Sequence, residues 1–209
     1  MVSPIPRRLA LALVVGALCG AAGAAPLAAP DQALVERARD YLRGLSSAMG
    51  RFTQTDPRGH VATGTFYLRR PGRARFEYDP PSGLVVASNG FRVAVLDRRL
   101  GTLDAYPLGA TPLGILLSRD IRIDKGVMIG SVSRRAGGFS IVAYDAGKRG
   151  QGQISLDFTE NPLVLAGWTI TDARGGLTRV KLVNFAPGKA MPNRFFELAP
   201  TPAAKPPAN

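Results

Sequence analysis

Thiols and imidazoles are nearly absent from this 209-residue chain, which has one cysteine, Cys19, and one histidine, His60. A single cysteine excludes an internal disulfide framework and any cluster of thiolate ligands. A single histidine, beside Gly59 in a turn-like stretch, has no second His or Cys with which to complete a metal site and reads as a solvated turn residue. No Ser/His/Asp set and no G-x-S-x-G elbow stands out, so nucleophilic hydrolysis lacks its groups. Asp97 and Asp104 flank a hairpin around Gly101, but acids at strand ends are ordinarily solvated. Gly150-Gln151-Gly152 lacks the third glycine and following helix of a nucleotide-binding loop and reads as a hairpin turn. The sequence therefore predicts no catalytic residue, no metal and no cofactor.

Acidic residues are also scarce, 15 against 27 Lys and Arg, a net charge of +12. Long apolar runs are missing except near the start. There, Arg7 and Arg8 precede the apolar run Leu9–Leu18, and small residues including Ala22-Gly23-Ala24 follow. That is the three-part pattern of a secretory signal peptide. The run is shorter than the ~20 residues needed to span a bilayer. The sequence thus predicts an exported chain with a signal over residues 1–24, a domain over 25–198 and a flexible Pro/Ala-rich tail over 199–209. A lipoprotein signal would need a small residue before Cys19. Leu18 stands there, so Cys19 is read as part of the removed segment. Without Arg7 and Arg8 the rest of the chain keeps 25 basic residues against 15 acidic. Such a balance favours acidic partners, and export sets nucleic acid aside.

Asp31 to about Gly50 carries Leu34, Ala38, Tyr41, Leu42, Leu45 and Met49 at spacings of three and four, which predicts a helix with Asp31 as its N-cap. From Phe52 the period changes to two. Phe66 and Leu68, Ala74, Phe76 and Tyr78, Ile154, Leu156 and Phe158, and Val180 and Leu182 each alternate with polar neighbours. Turn residues punctuate these runs at Pro71-Gly72, Pro80 to Gly83, Asn89-Gly90, Gly137-Gly138, Asn161-Pro162 and Gly175-Gly176. About eleven antiparallel strands in series, with no helices between most of them, predict a meandering sheet curled into a barrel. Thr111 to Ser118 interrupts them as a short, nearly all-apolar helix, capped by Thr111 with Pro112 at its first position. That composition suits a plug or lid. Strand parity turns Phe66, Leu68, Phe76, Tyr78, Ile154, Leu156 and Trp168 inward, toward an expected apolar space. It leaves Arg73, Arg75, Arg179 and Lys181 outward.

Counting in twos from Ala62 through Gly64, Phe66 and Leu68 arrives at Arg70. A guanidinium on an apolar face must find acceptors or it costs several kcal/mol. Either the chain turns at Pro71 and Arg70 reaches water, or Arg70 is a polar anchor at the mouth of an apolar space.

Phe52-Thr53-Gln54, Gly64, Arg70-Pro71, Arg75-Phe76, Tyr78, Pro81 and Ser88-Asn89-Gly90, in this order and spacing, resemble the LolA family of periplasmic lipoprotein carriers. Asn89 stands where Asp is commoner. Pro112 to Leu117 resembles the family's lid helix. The resemblance implies a mainly β fold, an incomplete, unclosed antiparallel barrel covered by an N-terminal helix and short lid helices over an apolar cavity. It further implies a non-enzymatic, monomeric periplasmic protein. Its partners would be acylated lipoproteins, an inner-membrane lipoprotein-releasing ABC transporter and, if present, an outer-membrane lipoprotein receptor. Arg70 would control the lid, and Leu113, Leu116 and Leu117 would join the inward residues in lining the cavity. Three alternatives stay open: a receptor-like relative of the same fold, a periplasmic sensor or scaffold, which predicts a filled core, and a lipid hydrolase, which the missing nucleophile sets disfavour.

Overall fold

Alternating apolar and polar residues can bury one face only when strands pair side by side, and the chain does so from Ser47 onward. The structure is a computed structural model that describes residues 27–119, 126–188 and 191–199. The expected signal segment and all but the first residue of the expected tail lie outside them. Among the described residues one sheet of eleven antiparallel strands forms: β1 (Ser47–Thr55), β2 (Val61–Arg69), β3 (Arg73–Tyr78), β4 (Leu84–Asn89), β5 (Arg92–Asp97), β6 (Thr102–Pro107), β7 (Val127–Arg135), β8 (Gly138–Asp145), β9 (Gln153–Glu160), β10 (Leu163–Thr171) and β11 (Leu177–Pro187). The order is β6-β5-β4-β3-β2-β1-β11-β10-β9-β8-β7, so β6 and β7 are unjoined edges and β1 zips onto β11 in the middle.

Two helices pack on the inner face, α1 (Ala29–Gly44) and α2 (Leu113–Leu117). The sheet curls tightly around them. Phe76 of β3 and Trp168 of β10 have ring centroids 5.9 Å apart, although β2, β1 and β11 lie between their strands. At ~4.8 Å per strand a flat sheet would hold them roughly 19 Å apart.

Three expectations about the helices need correction. The first helix ends at Gly44, not near Gly50, because residues from Ser47 pair with both β2 and β11. Leu45 and Met49 fit a helical spacing, but two ladders of backbone hydrogen bonds override it. Ala48 is fully buried in the strand while Met49 is exposed. The N-cap is Ala28, with Pro30 in the first turn and no side-chain cap. Asp31 is the third residue of the helix, in its first turn, where its charge suits the N-terminal dipole, and it pairs with Arg134 of β7 at 2.5 Å. In α2, Pro112 is the N-cap and not the first helical residue. The Thr111 hydroxyl donates to Leu108 O at 2.9 Å, closing the 3-10 turn Leu108–Ala110 instead of capping α2.

Candidate functional site

The inner face is built around aromatic rings. Phe52 meets Phe76 at 5.5 Å and Tyr78 at 5.1 Å, both edge to face. Phe66 stacks between Phe76 and Phe185. Gly64 makes this cluster possible. A Cβ there would lie 2.3 Å from Glu77 O and 2.5 Å from the Phe52 ring. The Tyr78 hydroxyl donates to Gln54 Oε1 at 2.8 Å, and burial pushes its pKa up to about 12. Phe52-x-Gln54, Gly64, Phe76 and Tyr78, scattered in sequence, are thus one contact set.

A second set surrounds the C-terminal end of α2. β2 stops at Arg69 and the chain turns, yet Arg70 does not swing into water. Its Nη1 donates to Leu42 O in the last turn of α1, and its Nη2 donates to Ser118 O, the C-cap of α2, at 2.5 Å. One partly buried guanidinium therefore bridges the exposed carbonyl ends of both helices, which carry partial negative charge. Backbone bonds reinforce it. Gly72 N donates to Leu117 O at 2.7 Å, and the buried Ser88 hydroxyl donates to Gly72 O at 2.6 Å. Gly72 itself has φ +79° and sits against Gly90, where a Cβ would come within 2.7 Å of the Gly90 Cα.

Between sheet and α2 almost no space remains. Phe66, Leu68, Phe76 and Trp168 from the sheet, with Leu113, Leu116 and Leu117 from α2, surround a residual apolar space of about 10 Å3. That is about one water's worth of room. Ile154 and Leu156 belong to the same buried core but do not border the space, and Tyr78 lies aside with Phe52. Ala74, Leu165, Leu182 and Phe185 border it as well. Phe185 escaped the parity count because β11 carries an extra residue. Arg51 and Met49 face Val183 and Ala186, so two steps along β1 oppose three along β11. This bulge turns both Leu182 and Phe185 inward.

On the other side of α2 an open cleft of about 550 Å3 lies between the β4–β5 turn, α2 and the β8–β9 loop. The outer face of β3 and β4 is also covered. The 3-10 turn Asn193–Phe196 packs there, with Phe196 fully buried. Arg75 lies over the Phe195 ring at 4.9 Å and pairs with Glu77 at 2.8 Å. Arg75 is therefore outward, as parity requires, but not a free surface charge. Arg179 and Lys181 are exposed. Asp97 accepts from the backbone of Arg99 and Leu100 in its own turn, and Asp104 sits opposite Val95, so the two carboxylates do not form a pair. His60 is exposed and bonded to Asp56 at 2.9 Å. No cluster of three metal-ligating side chains occurs among the described residues. None of their helices is long and apolar enough to cross a membrane.

The sequence profile described as outer membrane lipoprotein carrier protein LolA matches residues 43–199, well over half of the chain. The chain belongs to the LolA family. Among its curated relatives is an outer-membrane lipoprotein carrier protein of Leptothrix cholodnii, 30% identical, with 81% of this chain and 83% of that one aligned. A protein of the same name from Methylococcus capsulatus is 28% identical over 78% of this chain and 82% of its own. Among solved structures, a DUF1329 family protein from Desulfovibrio piger shares 10% identity and a TM-score of 0.50, covering 80% of this chain and 97% of that one. That likeness concerns the fold alone.

Proposed function

We propose that this LolA-family protein is a non-catalytic periplasmic carrier. It takes acylated lipoproteins released by an inner-membrane ABC transporter and delivers them to the outer membrane, working as a monomer. The observation that carries the reading is the plug. Leu113, Leu116 and Leu117 of one five-residue helix fill the inner face, and that helix is held at its C-terminal end by Arg70. A short helix with little backbone bonding of its own is removable, and acyl chains could take the leucines' place.

Magnitudes explain why a plug is useful. Three acyl chains expose on the order of 45 methylenes, and at ~0.8 kcal/mol each their full burial is worth roughly 36 kcal/mol. That exceeds the practical ceiling on affinity, about 18–21 kcal/mol. A carrier that must expel its own leucines and break the Arg70 bonds to load holds its cargo less tightly, so transfer to a second acceptor stays downhill. In this role Arg70 is the lid control. Phe66, Leu68, Phe76, Tyr78, Ile154, Leu156 and Trp168 would meet the chains once α2 has moved.

A filled interior also favours a second reading, a scaffold that binds protein through the same half-barrel and never opens. Trp168 separates the two. It is the chain's single tryptophan and is buried on the inner face. Titration with purified triacylated lipoprotein should shift its emission. Unchanged emission together with no co-purified lipid would support the scaffold and overturn the carrier.

A further inference from the structure

We infer that the cleft outside α2 is a receiving site for a single acyl chain, used before the sealed interior opens; the inference rests on the carrier reading. The interior has about 10 Å3 of room, so a chain arriving from a membrane cannot begin there. The cleft has about 550 Å3, within the ~300–1,000 Å3 range of small-ligand sites. Both spaces share one wall. α2 turns Leu113, Leu116 and Leu117 toward the interior and Pro112, Ile115 and Ser118 toward the cleft.

The chemistry of the cleft fits an alkyl chain. Phe91, Leu108, Pro112, Ile115 and Val127 line it. Phe91, at the tip of the β4–β5 turn, is 83% exposed, the most exposed large apolar side chain among the described residues. Among the described residues the two charged side chains that line it, Asp145 and Lys148, lie 3.9 Å apart, and Lys148 Nζ also donates to Gly109 O at 2.7 Å. Their charges are thus satisfied by each other and by backbone, and the Thr111 and Ser118 hydroxyls donate to the carbonyls of Leu108 and Ile115. A chain lying along Ile115 and Ser118 would press on the helix end whose carbonyl Arg70 holds. Filling the cleft therefore acts on the same element that seals the interior.

The experiment uses the single native tryptophan and one substitution. A palmitate brominated near its methyl end quenches indole on contact. In the native protein Trp168 reports the interior; in Trp168→Phe/Phe91→Trp the new indole reports the cleft. Stopped-flow mixing should show quenching at position 91 in an early phase and quenching of Trp168 in a later one. Gly109 allows an independent block, since a Cβ there meets only Lys148 Nζ at 4.0 Å. Gly109→Phe should slow Trp168 quenching roughly tenfold while leaving its final extent unchanged. Quenching of Trp168 without any at position 91, or at an unaltered rate in Gly109→Phe, overturns the receiving site and leaves the carrier reading standing. Quenching at neither position sinks both.

Discussion

Arg70 joins two helix ends through one carbonyl on each of its terminal nitrogens, and its replacement separates holding from loading. Each hydrogen bond from a charged donor is worth about 1.5–3 kcal/mol. Arg70→Leu removes two such bonds and should thus raise the population of the open state by about two to four orders of magnitude and add apolar surface under α2. Cargo should load from donor membranes but fail to pass to acceptor membranes in a two-step transfer assay; normal delivery would mean that the bridge is only structural. Arg70→Lys should fall between, since an ammonium lacks the fixed fork that reaches two acceptors. Gly64 sets a different limit. Gly64→Ala forces a Cβ against the Glu77 carbonyl and the Phe52 ring and should cost about 3 kcal/mol or more, read as a lower urea midpoint. Tyr78 gives a signature in alkali. Its pKa is raised from 10.0 to about 12, so the folded chain keeps a proton that the unfolded chain has lost. The stability this contributes is complete below pH 10 and disappears as pH rises through 12, on the order of 2 kcal/mol. Tyr78→Phe should flatten the fall in stability over that interval. All three residues stood in both the parity count and the motif, but the reason for Gly64 was not legible, because the ring that it admits comes from another strand.

At the level of elements, the strands and the short helix α2 were legible, but the α1–β1 junction, the bulge in β11 and the outer turn were not. A period of two is local, so β2, β3 and β9 can be read directly from Phe66-Leu68, Ala74-Phe76 and Ile154-Leu156-Phe158. The α1–β1 junction is not local. Leu45 and Met49 satisfy a helical spacing, and only pairing with β2 and β11 decides the matter. The bulge before Phe185 likewise exists only relative to β1. The outer covering by Asn193–Phe196 was missed for a third reason. Two adjacent phenylalanines show no period, and the polar-looking face they cover holds Val85 and Ala87 between charged neighbours. This covering is testable. Phe196 is 1% exposed, and Phe196→Ala should cost about 3 kcal/mol in urea unfolding. A change below 1 kcal/mol would show that the turn is not a structural part of the sheet.

For the whole molecule, charge and connectivity matter most. Arg75 is engaged by Phe195 and Glu77, which leaves exposed residues such as Arg179 and Lys181 to attract acidic partners. Such attraction is screened over ~8 Å at physiological salt. Association with anionic vesicles should slow as salt rises, and Arg179→Ser/Lys181→Ser should weaken that dependence; a salt-independent on-rate would reduce the charge to a solubility role. Connectivity has a separate consequence, in time. β1 and β11 lie side by side at the centre of the sheet although Thr55 and its partner Arg179 are more than half the chain apart. The hairpins of each half can form as soon as their own residues are available, but the seam between the halves must wait for the last strand. Closing so long a loop costs entropy before any contact rewards it, which places folding in the slow, high-contact-order regime. A chain emerging N-terminus first would expose the unpaired edge of β1 throughout synthesis or passage across a membrane. Folding should therefore be completed only after the chain is released, and versions truncated before Leu177 should stay open to proteolysis.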